Sequence, residues 1–167
     1  MAGRAPSTCC CAGDAVSVHV FLRRTPVRAS AQALFDWHEA PGAVQRLTPP
    51  REPVRVLRQE GGIKDGAQVS VRVGPWPFSL RWDLEHRDYR YGESFTDQQV
   101  RGPFRSWRHV HRMLPTGPDS CILEDRIEYA LPFGPLGDLV ARFFVEPKLD
   151  RLFAFRHDVT RRAFAQR

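Results

Sequence analysis

The chain has 167 residues, 42% of them hydrophobic and 26% charged. That length reads as one domain able to bury a sizeable core, the composition is that of a globular chain, and no run approaches the ~18 apolar residues of a membrane span. The formal net charge is +6, but Lys64 and Lys148 are the only lysines and the arginines are interleaved with acids, as in "DLEHRDYRYGE", so the excess reads as compositional bias and argues against a nucleic-acid partner.

Residues 1–14 read as a disordered tail. Cys9, Cys10 and Cys11 stand together in it and Cys121 stands alone, with no zinc-site spacing among them. A reduced cytoplasmic setting fits better than a disulfide framework; redox or metal capture by the triplet is the sharper alternative. The tail has no apolar stretch of signal-peptide length. The expectation is a cytoplasmic protein with a domain over 15–167.

"AVSVHVFL" (15–22) alternates as a strand, with Val16, Val18, Val20 and Leu22 on one face. "SAQALFDWHEA" follows as a helix. Ser30 is its natural N-cap, because its hydroxyl can accept from a free backbone N–H in the first turn. Leu34, Trp37 and His38 fall near one side. "PGAVQRL" (41–47) is a second short helix with proline in its first turn, ended by Pro49 and Pro50. Then come strands at 53–59, 67–73, 79–86, 93–100, 106–113 and 121–131. "GPWPF" separates the second and third of these, since two prolines cannot sit in a central ladder. From Leu136 the period becomes helical, with Leu136, Leu139, Val140, Phe143, Leu149, Leu152 and Phe153 on one apolar side. Pro147 should kink or split that helix. Strand, two short helices, about six antiparallel strands and a long terminal helix make an α+β protein.

The stretch "SWRHVHRM" (106–113) carries the most informative pattern. Alternation puts Trp107, His109, His111 and Met113 on one face and Ser106, Arg108, Val110 and Arg112 on the other. Arginines mark the wet side, so two titratable rings face inward. The last strand likewise groups Cys121, Leu123, Asp125, Ile127, Tyr129 and Leu131 against Glu124, Arg126 and Glu128. Matching the inward faces across the hairpin leaves two registers: Asp125 opposite His109, or Asp125 opposite His111. On the other side, Asp97 can reach His109 if it points inward. A carboxylate would favour the charged imidazole and burial would oppose it; the sequence leaves the balance open.

Four readings of this cluster stand side by side. It can be a hydrogen-bonded network that holds the sheet. It can orient a ligand in a pocket. It can be catalytic, with His109 or His111 as acid/base and Asp125 setting the tautomer. It can be a metal site, with Asp125 as third ligand to the His-x-His pair, although no second signature supports a metal and none is expected. Trp82 and Trp107 can stack on a ligand or simply pack. Tyr129 can offer its hydroxyl to a pocket or bond a neighbour. His86 lies near a strand end, where it can be solvated. His38 sits at a helix end, where it can meet the last carbonyls.

The chain resembles the helix-grip superfamily of StAR-related lipid-transfer, pollen-allergen-like and polyketide cyclase/dehydrase proteins. The match is carried by "FDWHEAPGAVQRLTPPREPV" (35–54), "FTDQQVRGPFRSWRHVHRM" (95–113), "LEDRIEYALPFGPLG" (123–137) and "LDRLFAFRH" (149–157). They are similar to a bacterial cyclase/dehydrase-like branch, also found fused to cell-division-inhibitor-like epimerase proteins. Arg51 stands where that branch has an aromatic. The resemblance implies a curved antiparallel sheet wrapped around the C-terminal helix, with a cavity between them. It further implies a small hydrophobic ligand, lipid-like, aromatic or polyketide-like; no cofactor is expected. The expected pocket is Trp82, His86, Asp97, Trp107, His109, His111, Asp125 and Tyr129. The alternatives are a cyclase or dehydratase working through His109, His111 and Asp125, and a protein-interaction module.

Overall fold

The computed structural model describes residues 17–165. The expected tail, with Cys9, Cys10 and Cys11, lies outside the described residues. β1 runs His19–Val27, and α1 (Ala31–Glu39) and α2 (Ala43–Arg46) follow it. Six strands come next: β2 Val54–Glu60, β3 Gln68–Val73, β4 Leu80–Arg90, β5 Ser94–Arg101, β6 Ser106–Gly117 and β7 Ser120–Ala130. α3 (Gly134–Val140), a π-helical turn (Ala141–Val145) and α4 (Glu146–Ala165) complete the chain. All seven strands form one antiparallel sheet in the order β1-β7-β6-β5-β4-β3-β2. Short hairpins therefore join every neighbouring pair except β1 and β7, whose pairing closes across the whole chain. The sheet curves around α4 in the helix-grip fold.

Local chemistry explains most boundaries. Ser30 caps α1 as expected: Ala33 N–H donates to its hydroxyl at 3.2 Å. Gly42 enters α2 at φ +82°, a conformation only glycine takes without strain. β1 is shifted toward the C-terminus of the expected strand and includes Pro26. It tolerates that residue because it is an edge strand. The valine face of β1 points outward: Val18, Val20 and Leu22 are exposed, while His19, Phe21, Arg23, Thr25 and Val27 lean inward. The phase is set at the far end, where Val27 enters the core.

The C-terminal helix also departs from its expected single apolar side. Leu136, Leu139 and Phe143 are exposed, whereas Leu149 and Phe153 are buried. The π turn, which contains Phe143, lies between Leu139 and Leu149, with Glu146 N–H donating to Ala141 O. One extra residue in a turn rotates everything after it by about 100° relative to a continuous α-helix. The wide turn ends just before Pro147, whose nitrogen has no hydrogen to donate. Among the described residues no helix is long and apolar enough to cross a membrane.

The interior has three layers. Under α1 and the end of α4, Val27, Leu34, Phe35, Phe95, Met113, Leu123 and Phe164 form one apolar cluster. At the other end, Trp107, Ile127, Tyr129, Leu149 and Phe153 form a second. A band of histidines and aspartates crosses the sheet between them.

Candidate functional site

Register builds the band. His86 on β4 pairs with Asp97 on β5, and Asp97 pairs with His109 on β6. One step along, His111 pairs with Asp125 on β7. Of the two hairpin registers open to the sequence, the chain adopts the second; Ile127 faces His109. Because inward residues alternate, all five side chains reach the same interior layer. α4 adds His157 from above, and β1 adds Thr25.

Asp125 is the hub. Its Oδ1 accepts from His109 Nε2 at 2.8 Å and lies 2.6 Å from His111 Nδ1; its Oδ2 accepts from His157 Nε2 at 2.7 Å. The hydroxyl of Thr25 lies 2.8 Å from His157 Nδ1 and completes the ring's hydrogen bonding. Asp97 is the second acceptor. Its Oδ2 accepts from His111 Nε2 at 3.3 Å and lies 3.5 Å from His109 Nδ1, and its Oδ1 lies 3.1 Å from His86 Nε2. Two atoms fit this web badly. Asp97 Oδ1 and His111 Nδ1 are buried without a well-aimed hydrogen bond, despite their short contacts. Asp125, His109 and His157 are almost fully buried, whereas the Asp97 side chain keeps 18% of its surface.

The electrostatics follow from this geometry. Burial works against both carboxylate anions. The surrounding imidazoles win: His109 and His111 hold Asp97 well below the usual carboxylate range, and His111, His109 and His157 do the same for Asp125. Burial also opposes the His111 cation, but Asp125 and then Asp97 outweigh it and raise that ring to about 9. His38 goes the other way. Burial dominates and lowers it to about 4, although its Nδ1 donates to Leu34 O at 2.8 Å. His38 therefore has a structural bond at the helix end, with its ring 6.4 Å from His111.

The remaining expected pocket residues lie at the second apolar cluster. Trp82 and Trp107 meet edge to face at 4.9 Å, Phe104 packs on Trp107 at 4.8 Å, and Tyr129 is 6.0 Å from Trp107. Trp82 Nε1, Gln99 Oε1 and the Tyr129 hydroxyl are buried there without hydrogen-bond partners. The eight residues thus divide into a five-member polar band (His86, Asp97, His109, His111, Asp125) and a three-member aromatic wall. His86 is buried, not solvated. Glu124 points the opposite way, between Arg24 and Arg112 at 2.6 and 3.1 Å.

Two surface clefts of about 430 and 490 Å³ lie among the described residues, one at Glu60–Gln68 and one between Pro53, Arg72 and Trp76. None of the eight residues lines either cleft. His157, Thr25, Phe104 and Gln99 belong to the site but were not singled out in the sequence. His157 had a signal: it follows Leu149 and Phe153 by eight and four residues, on one helix face.

A family profile described as polyketide cyclase / dehydrase and lipid transport matches residues 27–156. No curated protein matches the chain. Among solved structures, norcoclaurine synthase from Thalictrum flavum is 17% identical, with 100% of this chain and 97% of that one covered and a TM-score of 0.69. Zhui aromatase/cyclase from Streptomyces sp. R1128 is 16% identical over 90% and 96% of the two chains, TM-score 0.69. A nucleoside-diphosphate sugar epimerase from Corynebacterium glutamicum is 23% identical over 84% of this chain and 28% of that one, TM-score 0.61. At these identities the likeness to solved structures is one of fold.

Proposed function

The chain belongs to the polyketide cyclase / dehydrase and lipid transport family, and from that premise we propose that it binds a small, largely hydrophobic aromatic or polyketide-like molecule between the sheet and α4, against the wall of Trp82, Phe104, Trp107 and Tyr129. The observation that carries this reading is the trio of buried, unpartnered polar atoms in that wall: Trp82 Nε1, Gln99 Oε1 and the Tyr129 hydroxyl. A buried polar group without a partner costs about 1–3 kcal/mol. A ligand bearing a few hydroxyl or carbonyl groups would satisfy them and lay its apolar body on the rings. Phe104 sits in the β5–β6 turn, over both tryptophans, and is the natural side chain to swing aside.

Native mass spectrometry of gently purified chain tests this first, followed by quenching of tryptophan fluorescence with 1,8-dihydroxyanthraquinone as probe. The expected result is a carried small molecule or saturable one-to-one quenching, weakened in Trp82→Ala. A chain that carries nothing and shows no saturable quenching refutes the reading.

An enzymatic second reading has one observation of its own. His109 stands between two carboxylates, Asp97 and Asp125, with its Nε2 proton engaged by the latter. A histidine oriented in this way can move a proton on a bound polyketide-like substrate, with Asp125 fixing the tautomer. Turnover lost in a folded His109→Gln chain that still binds the probe would support it; unchanged turnover would exclude His109 from the chemistry.

A further inference from the structure

The polar band poses a problem that ligand binding at the aromatic wall does not answer. His109 donates its Nε2 proton to Asp125. In its neutral form the ring then turns the bare Nδ1 lone pair toward Asp97 Oδ2, 3.5 Å away. Two acceptors face each other in a buried layer. His111 Nε2 converges on the same oxygen from 3.3 Å. One atom from each of Asp97, His109 and His111 lies within 4.8 Å of the other two.

We propose that Asp97, His109 and His111 form a binding site for a divalent transition-metal cation of the zinc class. The distances fit. Ligands about 2.0–2.1 Å from a tetrahedral metal stand about 3.3 Å apart, against 3.3 and 3.5 Å for the two carboxylate–imidazole pairs here, with the two ring nitrogens within 4.8 Å of each other. The donors fit as well: two imidazoles, His111 releasing its Nε2 proton when the metal binds, and one carboxylate, with no thiolate, suit zinc, iron, nickel or cobalt better than magnesium or calcium. Three protein ligands leave a coordination position for a small molecule.

The supports around these donors are those a metal site needs. A ligating histidine characteristically gives its other ring N–H to a carboxylate. Here Asp125 takes the Nε2 proton of His109 at 2.8 Å, and the same oxygen lies 2.6 Å from His111 Nδ1 without a well-aimed hydrogen bond. His157 and Thr25 in turn fix Asp125. On the other flank His86 reaches the second oxygen of Asp97 at 3.1 Å. Asp125, the third ligand suggested by the sequence alone, is thus a positioning residue, and Asp97 takes its place. The cation would also balance two carboxylates buried in one layer.

The test uses the full chain, stripped with chelator, desalted, and titrated with Co²⁺ and then Zn²⁺. We expect one equivalent of Co²⁺ to bind with visible absorption bands and Zn²⁺ to displace it. Asp97→Asn and His109→Gln should abolish this while far-ultraviolet circular dichroism stays unchanged. Asp125→Asn should weaken binding by about 10–100-fold, as for a second-layer support. A chain with Cys9, Cys10 and Cys11 all changed to serine should bind as before. The proposal falls if the folded wild-type chain binds neither ion, or if binding survives Asp97→Asn and disappears with the cysteines. Should the site variants fail to fold, X-ray absorption of the wild-type zinc complex decides. Two imidazoles in a nitrogen/oxygen shell support the site; sulfur in the shell overturns it.

Discussion

Raising the pH should destabilise this protein through His111. The ring meets Asp125 of β7 at 2.6 Å and Asp97 of β5 at 3.3 Å, stacks on Phe95, lies tilted against His109, and faces His38 of α1 at 6.4 Å. The two carboxylates raise it from 6.5 to about 9. A group whose folded pKa lies above its unfolded value contributes stability that is complete below pH 6.5 and lost as the pH climbs to 9. At about 1.4 kcal/mol per unit the loss is about 3 kcal/mol, and His111 is only 7% exposed, so solvent screening takes little from it. Urea unfolding of the metal-free chain, followed by tryptophan fluorescence at constant ionic strength from pH 6 to 9, measures it directly. The free energy should fall by about 1.4 kcal/mol per unit above pH 6.5. His111→Gln should start lower and stay flat. A wild-type profile flat to within about 1 kcal/mol would refute the argument, as would a slope that survives in His111→Gln.

The acid side belongs first to His38. Its pKa is lowered to about 4, so its contribution is complete above pH 6.5 and lost as the pH falls toward 4; the same titration carried down to pH 4 should show a further loss of about 3 kcal/mol that His38→Gln removes. Asp125→Asn leaves three imidazoles without their shared anion and should cost about 3–5 kcal/mol at pH 7, read as a fall in the urea midpoint. It should also bring the His111 resonance back toward ordinary titration in nuclear magnetic resonance. Trp107→Ala should cost about 3–5 kcal/mol in thermal or urea unfolding, since the ring is 5% exposed and packs on three aromatics; a cost below about 1 kcal/mol would mean that the wall yields readily, as a ligand seat would.

What was legible in the sequence came from period and local chemistry. Side chains on a strand alternate strictly, so the inward rows of β4, β6 and β7, with Trp82, His86, Trp107, His109, His111, Asp125 and Tyr129, follow from the residues alone. Ser30 and Pro147 announce a cap and a break through the groups they supply or lack. The family resemblance supplied the wrap of the sheet around α4. Tertiary pairing decided the rest. The β6–β7 hairpin admits two registers of equal alternation, and only closure against its neighbours put Asp125 opposite His111. β1 carries plausible apolar residues on both faces, and its phase was chosen where Val27 meets the core, which turns Val20 and Leu22 outward. Six residues at about 100° each set Leu149 about 120° round the helix axis from Phe143 even without the π turn, so the terminal apolar residues do not share one side, and Leu149 and Phe153 are buried while Phe143 is not. His157 reached Asp125 from 32 residues away. Short-range pattern sets which face a side chain occupies. Which partners meet on that face depends on long-range register, and that is fixed by the sum of packing over the whole sheet.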